Sequence, residues 1–495
     1  MQNSPIKKLF TETLTYGFSS LLGRFLNYLL VPFYTAVFSA SSYGMVTELY
    51  AYLAFLSILY TYGMETGYFY FSEKSNEKSG VFQTILTSVF FTGILFSLLI
   101  CLFAGNISAL LSYQGRENII YWIAFILFTD AFTAIPFAKL RRENKTKKFA
   151  TLKLINIGLN LFLNFFFLYL CPKMYVQNAD PSFPFTLYNP DWNVEYVFLS
   201  NLLANLIYIP LLLPQLKEFR LKLDVKLWRE IMTYSLPMLI VGIAGMVNEV
   251  LDRILLRFWL PENFYPGLDK LGTVGIYGAC YKFSIFMTLG IQAFRFAAEP
   301  FFFSKAKEKN SPVLFANVMD WFISIGTLIF LFISLNLDSL KLLLLRTEYH
   351  QGLQVVPILL LANLFLGIYY NLSVWYKVTG KTRYGMWISL LGALVTLIGN
   401  FALIPVLGYK GSAIATLICY VGIATLCYLW GARFFPVPYK IKNAFYTIGS
   451  AVVLVILADW IFIFPVWINE LIFVGYLAVI FLVKRNKINL TKQIG

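Results

Sequence analysis

The residues in this chain best suited to chemistry are ionisable side chains set inside apolar sequence. Arg24, Arg253, Lys282 and Arg295 each fall within a long hydrophobic run. A charge at mid-bilayer costs at least ~2.5 kcal/mol, so such residues mark substrate or ion pathways by default. Arginine adds a planar fork of donors that fits a phosphate bidentately. These four cations are candidates for binding an anionic group of a substrate. Glu48, Glu65, Glu249, Asp252 and Glu299, with Asp130, lie in comparable positions. They are candidates for binding a coupling H⁺ or Na⁺, or for neutralising the cations. Glu249 with Arg253, and Arg295 with Glu299, have the i,i+4 spacing that puts both side chains on one helix face. Arg24 has no acid three or four residues away, which makes it the leading candidate for binding an anion. Glu48 or Glu65 offers it a cross-helix partner. Lys153 and Arg257, closer to the ends of their runs, are expected to snorkel to the interface.

Two further stretches resemble chemical motifs and are excluded. RRENKTKKFA (141–150) is dense in cations, and VTGKTRYG (378–385) contains Gly380-Lys381-Thr382. A phosphate-binding loop GxxxxGK[ST] needs glycine at position 375, where Trp375 stands, and no strand precedes it. No nucleotide site follows. The formal net charge of +15 comes from basic residues in short tufts between apolar runs, which is a membrane pattern rather than a nucleic-acid surface. His350 is the only histidine, and the five cysteines form no CxxC pair, so no metal centre and no disulfide framework is expected. No cofactor is expected beyond a coupling H⁺ or Na⁺.

The elements that position these residues are membrane helices. The chain is 59% hydrophobic and only 13% charged, against about 25% charged in soluble domains. Runs of about 20 apolar residues are long enough to cross a bilayer. Fourteen are expected: 13–38, 44–71, 81–105, 118–138, 149–170, 193–214, 229–260, 272–303, 313–336, 352–376, 384–405, 409–431, 442–461 and 464–483. Pro32, Pro237 and Pro357 are expected kink sites. With the N-terminus in the cytosol, inner loops and termini hold 28 Lys/Arg and outer loops hold 6. That bias places both termini in the cytosol. The first run has no cleavage site and reads as a retained helix.

The chain also repeats itself. Lys145-Thr146-Lys147 and Lys381-Thr382-Arg383 are 236 residues apart, and at that offset Asn164 meets Asn400 and Phe165 meets Phe401. Glu12 to Tyr16 and Glu230 to Tyr234 both read ExxTY at the entry to spans 1 and 7. Six spans return the chain to its starting side, so the halves are parallel repeats. The expected fold is an all-α polytopic membrane protein. Its six-helix lobes cover 1–222 and 223–435, and 436–495 holds two extra helices and a cytosolic tail.

Gly23-Arg24, Pro32-Phe33-Tyr34 and Tyr43-Gly44, with the tract GYKGSAIATLICY (408–420), resemble bacterial polysaccharide-export flippases of the O-antigen flippase type. These belong to the multidrug/oligosaccharidyl-lipid/polysaccharide exporter superfamily. The resemblance implies a MATE-like fold whose helices 1, 2, 7 and 8 line a central cavity, where Arg24, Arg253, Lys282 and Arg295 would hold a diphosphate or similar anionic headgroup. It implies translocation of undecaprenyl-diphosphate-linked oligosaccharide across the bacterial inner membrane by alternating access. The purpose would be surface polysaccharide synthesis: lipopolysaccharide O-antigen, capsule or exopolysaccharide. The implied partners are the lipid-linked substrate, the bilayer and the polysaccharide polymerase machinery, around a monomer that is not an enzyme. Three other readings compete. A cation-coupled multidrug exporter should favour acids over the mixed charges seen here. A polysaccharide polymerase or glycosyltransferase should carry a larger outer loop than 171–193. An anion channel would not need matched lobes.

Overall fold

The computed structural model describes residues 22–23, 25–74, 78–177, 188–306, 308–462 and 464–493, and among these the regular structure is helical, with no strands. Helices are what a chain with this hydropathy must form. In hydrocarbon every backbone N–H and C=O has to be satisfied internally. Among the described residues, eleven helices are long and apolar enough to cross a membrane. They are α2 (Ala40–Lys74), α3 (Ser79–Leu102), α4 (Glu117–Arg142), α5 (Thr146–Tyr175), α8 (Lys270–Phe296), α9 (Ser311–Leu335), α10 (Val355–Val378), α11 (Thr382–Leu407), α12 (Tyr409–Phe434), α13 (Ile441–Ala458) and α14 (Val466–Arg485). The shorter α1 (Phe25–Val37) and α6 (Glu195–Leu211) are also apolar. The 35-residue α7 (Val225–Trp259) carries its charges at both ends and around residues 249–253.

Only part of the expected kinking comes from proline. α1 has a turn at Leu29, three residues before Pro32. α7 runs on through Pro237. Pro357 falls in the first turn of the helix Val355–Leu372, where a missing N–H costs nothing. The sharpest break has no proline: α2 splits into Ala40–Thr61 and Met64–Lys74 at Tyr62 (φ 31°) and Gly63 (φ 73°). Gly63 is required twice over. Its φ is left-handed, and a Cβ there would lie 2.7 Å from the Ser235 carbonyl oxygen.

The chain forms two compact units. The first contains residues 1–30 and 41–254; the second contains 31–40 and 255–495. In the first, α3 packs on α4 and α6 on α4 and α5. In the second, α12 packs against α10 and α11, and α13 and α14 both pack on α9. α14 is tied to α9 at both ends. Asn469 Nδ2 donates to the Leu335 carbonyl at 3.0 Å, and Lys484 Nζ meets Asp320 Oδ2 at 2.5 Å. Lys484, placed by sequence in a cytosolic tail, is thus a buried ion-pair partner.

Residues 31–40 are held in the second unit by the segment 345–349. Arg346 donates to the carbonyls of Ala36 (3.2 Å) and Val37 (3.1 Å), and Tyr349 Oη to that of Phe38 (3.0 Å). Glu348 accepts from the Ala40 N–H at 3.0 Å, and the Leu345 N–H donates to Thr35 Oγ1 at 3.3 Å. These contacts satisfy the orphan carbonyls at the end of α1 and an orphan N–H at the start of α2.

The repeat is visible in chemistry as well as sequence. Asn164 and Asn400, one at each end of the 236-residue offset, are both fully buried. Each donates its amide to the carbonyl four residues back, Asn160 and Thr396, at 2.8 Å.

Candidate functional site

Arg24 and the side chain of Glu299 lie outside the described residues. The other candidates fall into separate places within the two units.

In the first unit, Glu65 opens the second segment of α2, where a carboxylate suits the helix N-terminus. It forms an ion pair with Arg141 of the RRENKTKKFA stretch, whose guanidinium also lies 5.1 Å from the Phe69 ring. Glu48 is fully buried and takes hydrogen bonds from Tyr52 (3.3 Å) and Tyr113. Tyr113 follows the short helix Ala104–Leu110, at the end of the unit away from Arg141. On α7, Arg253 Nη1 donates to the main-chain carbonyl of Glu249 at 3.0 Å and stands 3.9 Å from Asp252. The i,i+4 spacing therefore brings Arg253 onto the Glu249 backbone, with Asp252 as the carboxylate alongside.

In the second unit, Lys282 begins a 3₁₀ turn, Lys282–Ser284, that interrupts α8 and leaves the side chain exposed. Arg295 lies about three and a half turns further along, ~20 Å at 1.5 Å per residue. Its guanidinium sits 4.1 Å from the Tyr370 ring centroid. A ring beneath a guanidinium holds its fork flat, an arrangement suited to an anion. Lys282 and Arg295 are too far apart along the helix to grip one phosphate together.

A polar network inside the first unit was only partly legible. Asn205 on α6 donates to Asp130 on α4 at 2.9 Å and to Asn201 at 3.1 Å. Asn201 reaches Tyr50 Oη on α2 at 3.0 Å, and Asn156 on α5 reaches Asn205 Oδ1 at 2.9 Å. Lys153, expected to snorkel, instead rests over the rings of Phe137 (4.2 Å) and Tyr208 (4.8 Å). Four helices thus share one hydrogen-bonded set around a carboxylate, which can exchange a proton or hold the helices in register. The sequence shows the i,i+4 spacing of Asn201 and Asn205, but nothing in it ties them to Asp130.

The tuft 139–148 is more than a topology signal. Lys139 is buried and pairs with Glu218 at 2.6 Å, and Lys148 Nζ reaches Gln215 at 3.0 Å. The Lys139 ammonium holds the Glu218 carboxyl below its ordinary range. The segment 217–224 is fastened further along α3: Thr87 Oγ1 donates to the Arg220 carbonyl (3.4 Å) and accepts from the Lys222 N–H (3.2 Å).

Residues 37–175 match the family described as "Polysaccharide biosynthesis protein". No curated protein matches in sequence. A solved structure titled "Lipid II flippase MurJ, inward closed conformation" superposes with a TM-score of 0.73, covering 97% of this chain and 99% of that one at 14% identity. An inward-facing MATE multidrug transporter of the MOP superfamily gives 0.63, at 83% and 94% coverage and 12% identity. The MATE multidrug transporter DinF-BH gives 0.61, at 90% and 98% coverage and 17% identity. The chain therefore has the all-helical fold shared by the lipid II flippase MurJ and the MATE multidrug transporters.

Proposed function

We propose that the protein is a flippase for an anionic, lipid-linked saccharide, moved across the bacterial inner membrane by alternating access. The observation that carries this reading is the coincidence of two likenesses. The whole-chain fold match is to a structure titled as a lipid II flippase, and the sequence match over 37–175 is to a polysaccharide biosynthesis family. The substrate proposed is undecaprenyl-diphosphate-linked oligosaccharide, destined for O-antigen, capsule or exopolysaccharide. Arg24, Arg253, Lys282 and Arg295 are proposed as headgroup ligands, and the membrane acids as coupling or neutralising groups. The stacked Arg295 supports that role, since a guanidinium already ordered against Tyr370 loses less entropy on meeting a phosphate. Both termini are placed in the cytosol on the charge bias of the loops.

Purified protein reconstituted into vesicles should flip an undecaprenyl-diphosphate-linked sugar, and Arg295→Gln should slow this by roughly 10- to 100-fold, the worth of one charge-assisted hydrogen bond. Export of cationic dye with no movement of the lipid-linked sugar would replace this reading with the multidrug one.

A further inference from the structure

At the end of the first unit where α2 and α4 finish, a group of buried donor atoms stands without an acceptor. Arg142 Nη1, Tyr68 Oη and Ser72 Oγ are all enclosed and make no hydrogen bond. Tyr68 is 0% and Ser72 1% exposed. They form one cluster. The Arg142 guanidinium lies 5.2 Å from the Tyr68 ring centroid, and Ser72 is one helical turn beyond Tyr68. The two hydroxyls lie near enough to act on one another, and neither is bonded to any further group.

The surrounding charges are already used. Arg141 is paired with Glu65, Lys139 with Glu218 and Lys145 with Glu143. Among the described residues Arg142 makes no ion pair, and the Glu218 carboxylate, bound to Lys139, acts on it only from farther off. Lys139 lies 4.6 Å from the Phe82 ring, which in turn packs on Tyr68 at 6.1 Å, so a second cation stands behind the first.

An enclosed guanidinium N–H and two enclosed hydroxyls with no acceptor are costly, since each loses its water without replacement. Arginine has donors only, and the hydroxyls can turn to donate. What the cluster lacks is a compact group with several acceptor oxygens and negative charge. We infer that Arg142, Tyr68 and Ser72 form a binding site for a phosphate group at the cytosolic end of the first lobe, separate from the proposed transport residues. That group could come from an anionic phospholipid headgroup of the inner leaflet or from free phosphate. The inference does not depend on the transport reading.

The test uses the full-length protein in nanodiscs and reads the thermal-unfolding midpoint. One arm titrates inorganic phosphate into phosphatidylcholine discs; the other raises the phosphatidylglycerol fraction without added phosphate. A saturable rise in one arm identifies the source. Arg142→Gln should weaken that response at least tenfold. Tyr68→Phe and Ser72→Ala, nearly isosteric, should weaken it about threefold while leaving the unliganded protein as stable or more so, because each removes an unsatisfied group. Lys148→Gln, a nearby cation outside the cluster, should leave it unchanged. The inference is overturned if neither arm responds. It is equally overturned if Lys148→Gln weakens the response as much as Arg142→Gln does, or if the Tyr68 and Ser72 variants respond like the parent.

Discussion

Replacing Lys484 by Met should loosen α14 from α9 by an amount the geometry sets. The ammonium lies 2.5 Å from Asp320 Oδ2 and 3.0 Å from the Asp320 carbonyl, with the two side chains only 9% and 15% exposed. Removing one member of a buried pair strands the other charge, at ~3–5 kcal/mol. The residual exposure of both groups puts the expected loss near ~3 kcal/mol, at the lower end of that range. A further change of Asp320 to Asn removes the stranded charge. The double variant should therefore recover most of the loss, giving a coupling of ~2 kcal/mol in a double-mutant cycle. Chemical unfolding in mixed micelles supplies the free energies. Trp321, whose ring centroid lies 5.2 Å from the ammonium, gives a local fluorescence signal for undocking of α14. A single variant within ~0.5 kcal/mol of the parent would show that water, not Lys484, compensates Asp320. A double variant no better than Lys484→Met would refute the stranded-charge mechanism.

Three further outcomes follow from the geometry. Gly63→Ala should cost upwards of ~1 kcal/mol for the left-handed backbone alone, and more for a methyl 2.7 Å from the Ser235 carbonyl oxygen, measured by unfolding. Tyr349→Phe deletes the buried hydrogen bond to the Phe38 carbonyl and should cost ~1–2 kcal/mol, seen also as faster amide exchange around residues 36–40. Glu218, held below its ordinary pKa by Lys139, contributes stability above the usual carboxylate range and loses it as pH falls through its lowered value. The contribution is small because the carboxylate is largely exposed. Amide exchange in 217–224 should thus quicken on the acid side, and Glu218→Gln should show the fast exchange already at neutral pH.

Hydropathy made most of the helices legible, because a lipid environment permits little else for such runs. The 236-residue offset has a local counterpart: Asn164 and Asn400 are both buried, and each donates its amide to the carbonyl four residues back in its own helix. What escaped was decided by tertiary contact. The break of α2 depends on the Ser235 backbone crossing Gly63, a neighbour some 170 residues away in a chain with no proline there. Lys139 and Lys484 read as topology signals, since nothing local distinguishes a lysine facing headgroups from one facing Glu218 or Asp320. Asp130 was visible as a membrane acid, but its partner Asn205 on α6, and Asn156 on α5 bonded to Asn205, were not, because side-chain pairing between helices leaves no period in the sequence.

The fastening of residues 35–40 by residues 345–349 bears on how the chain is made. Its hydrogen bonds join positions 308 to 311 residues apart. At 5–20 residues per second, a ribosome delivers Arg346 and Tyr349 roughly 15 to 60 s after the end of α1. For that interval the carbonyls of Ala36, Val37 and Phe38 must be met by water or by the insertion machinery, and the second unit cannot close. A chain cut anywhere between residues 40 and 345 would put this strap and the residues it fastens on different fragments. Its two halves should therefore mature only when made together.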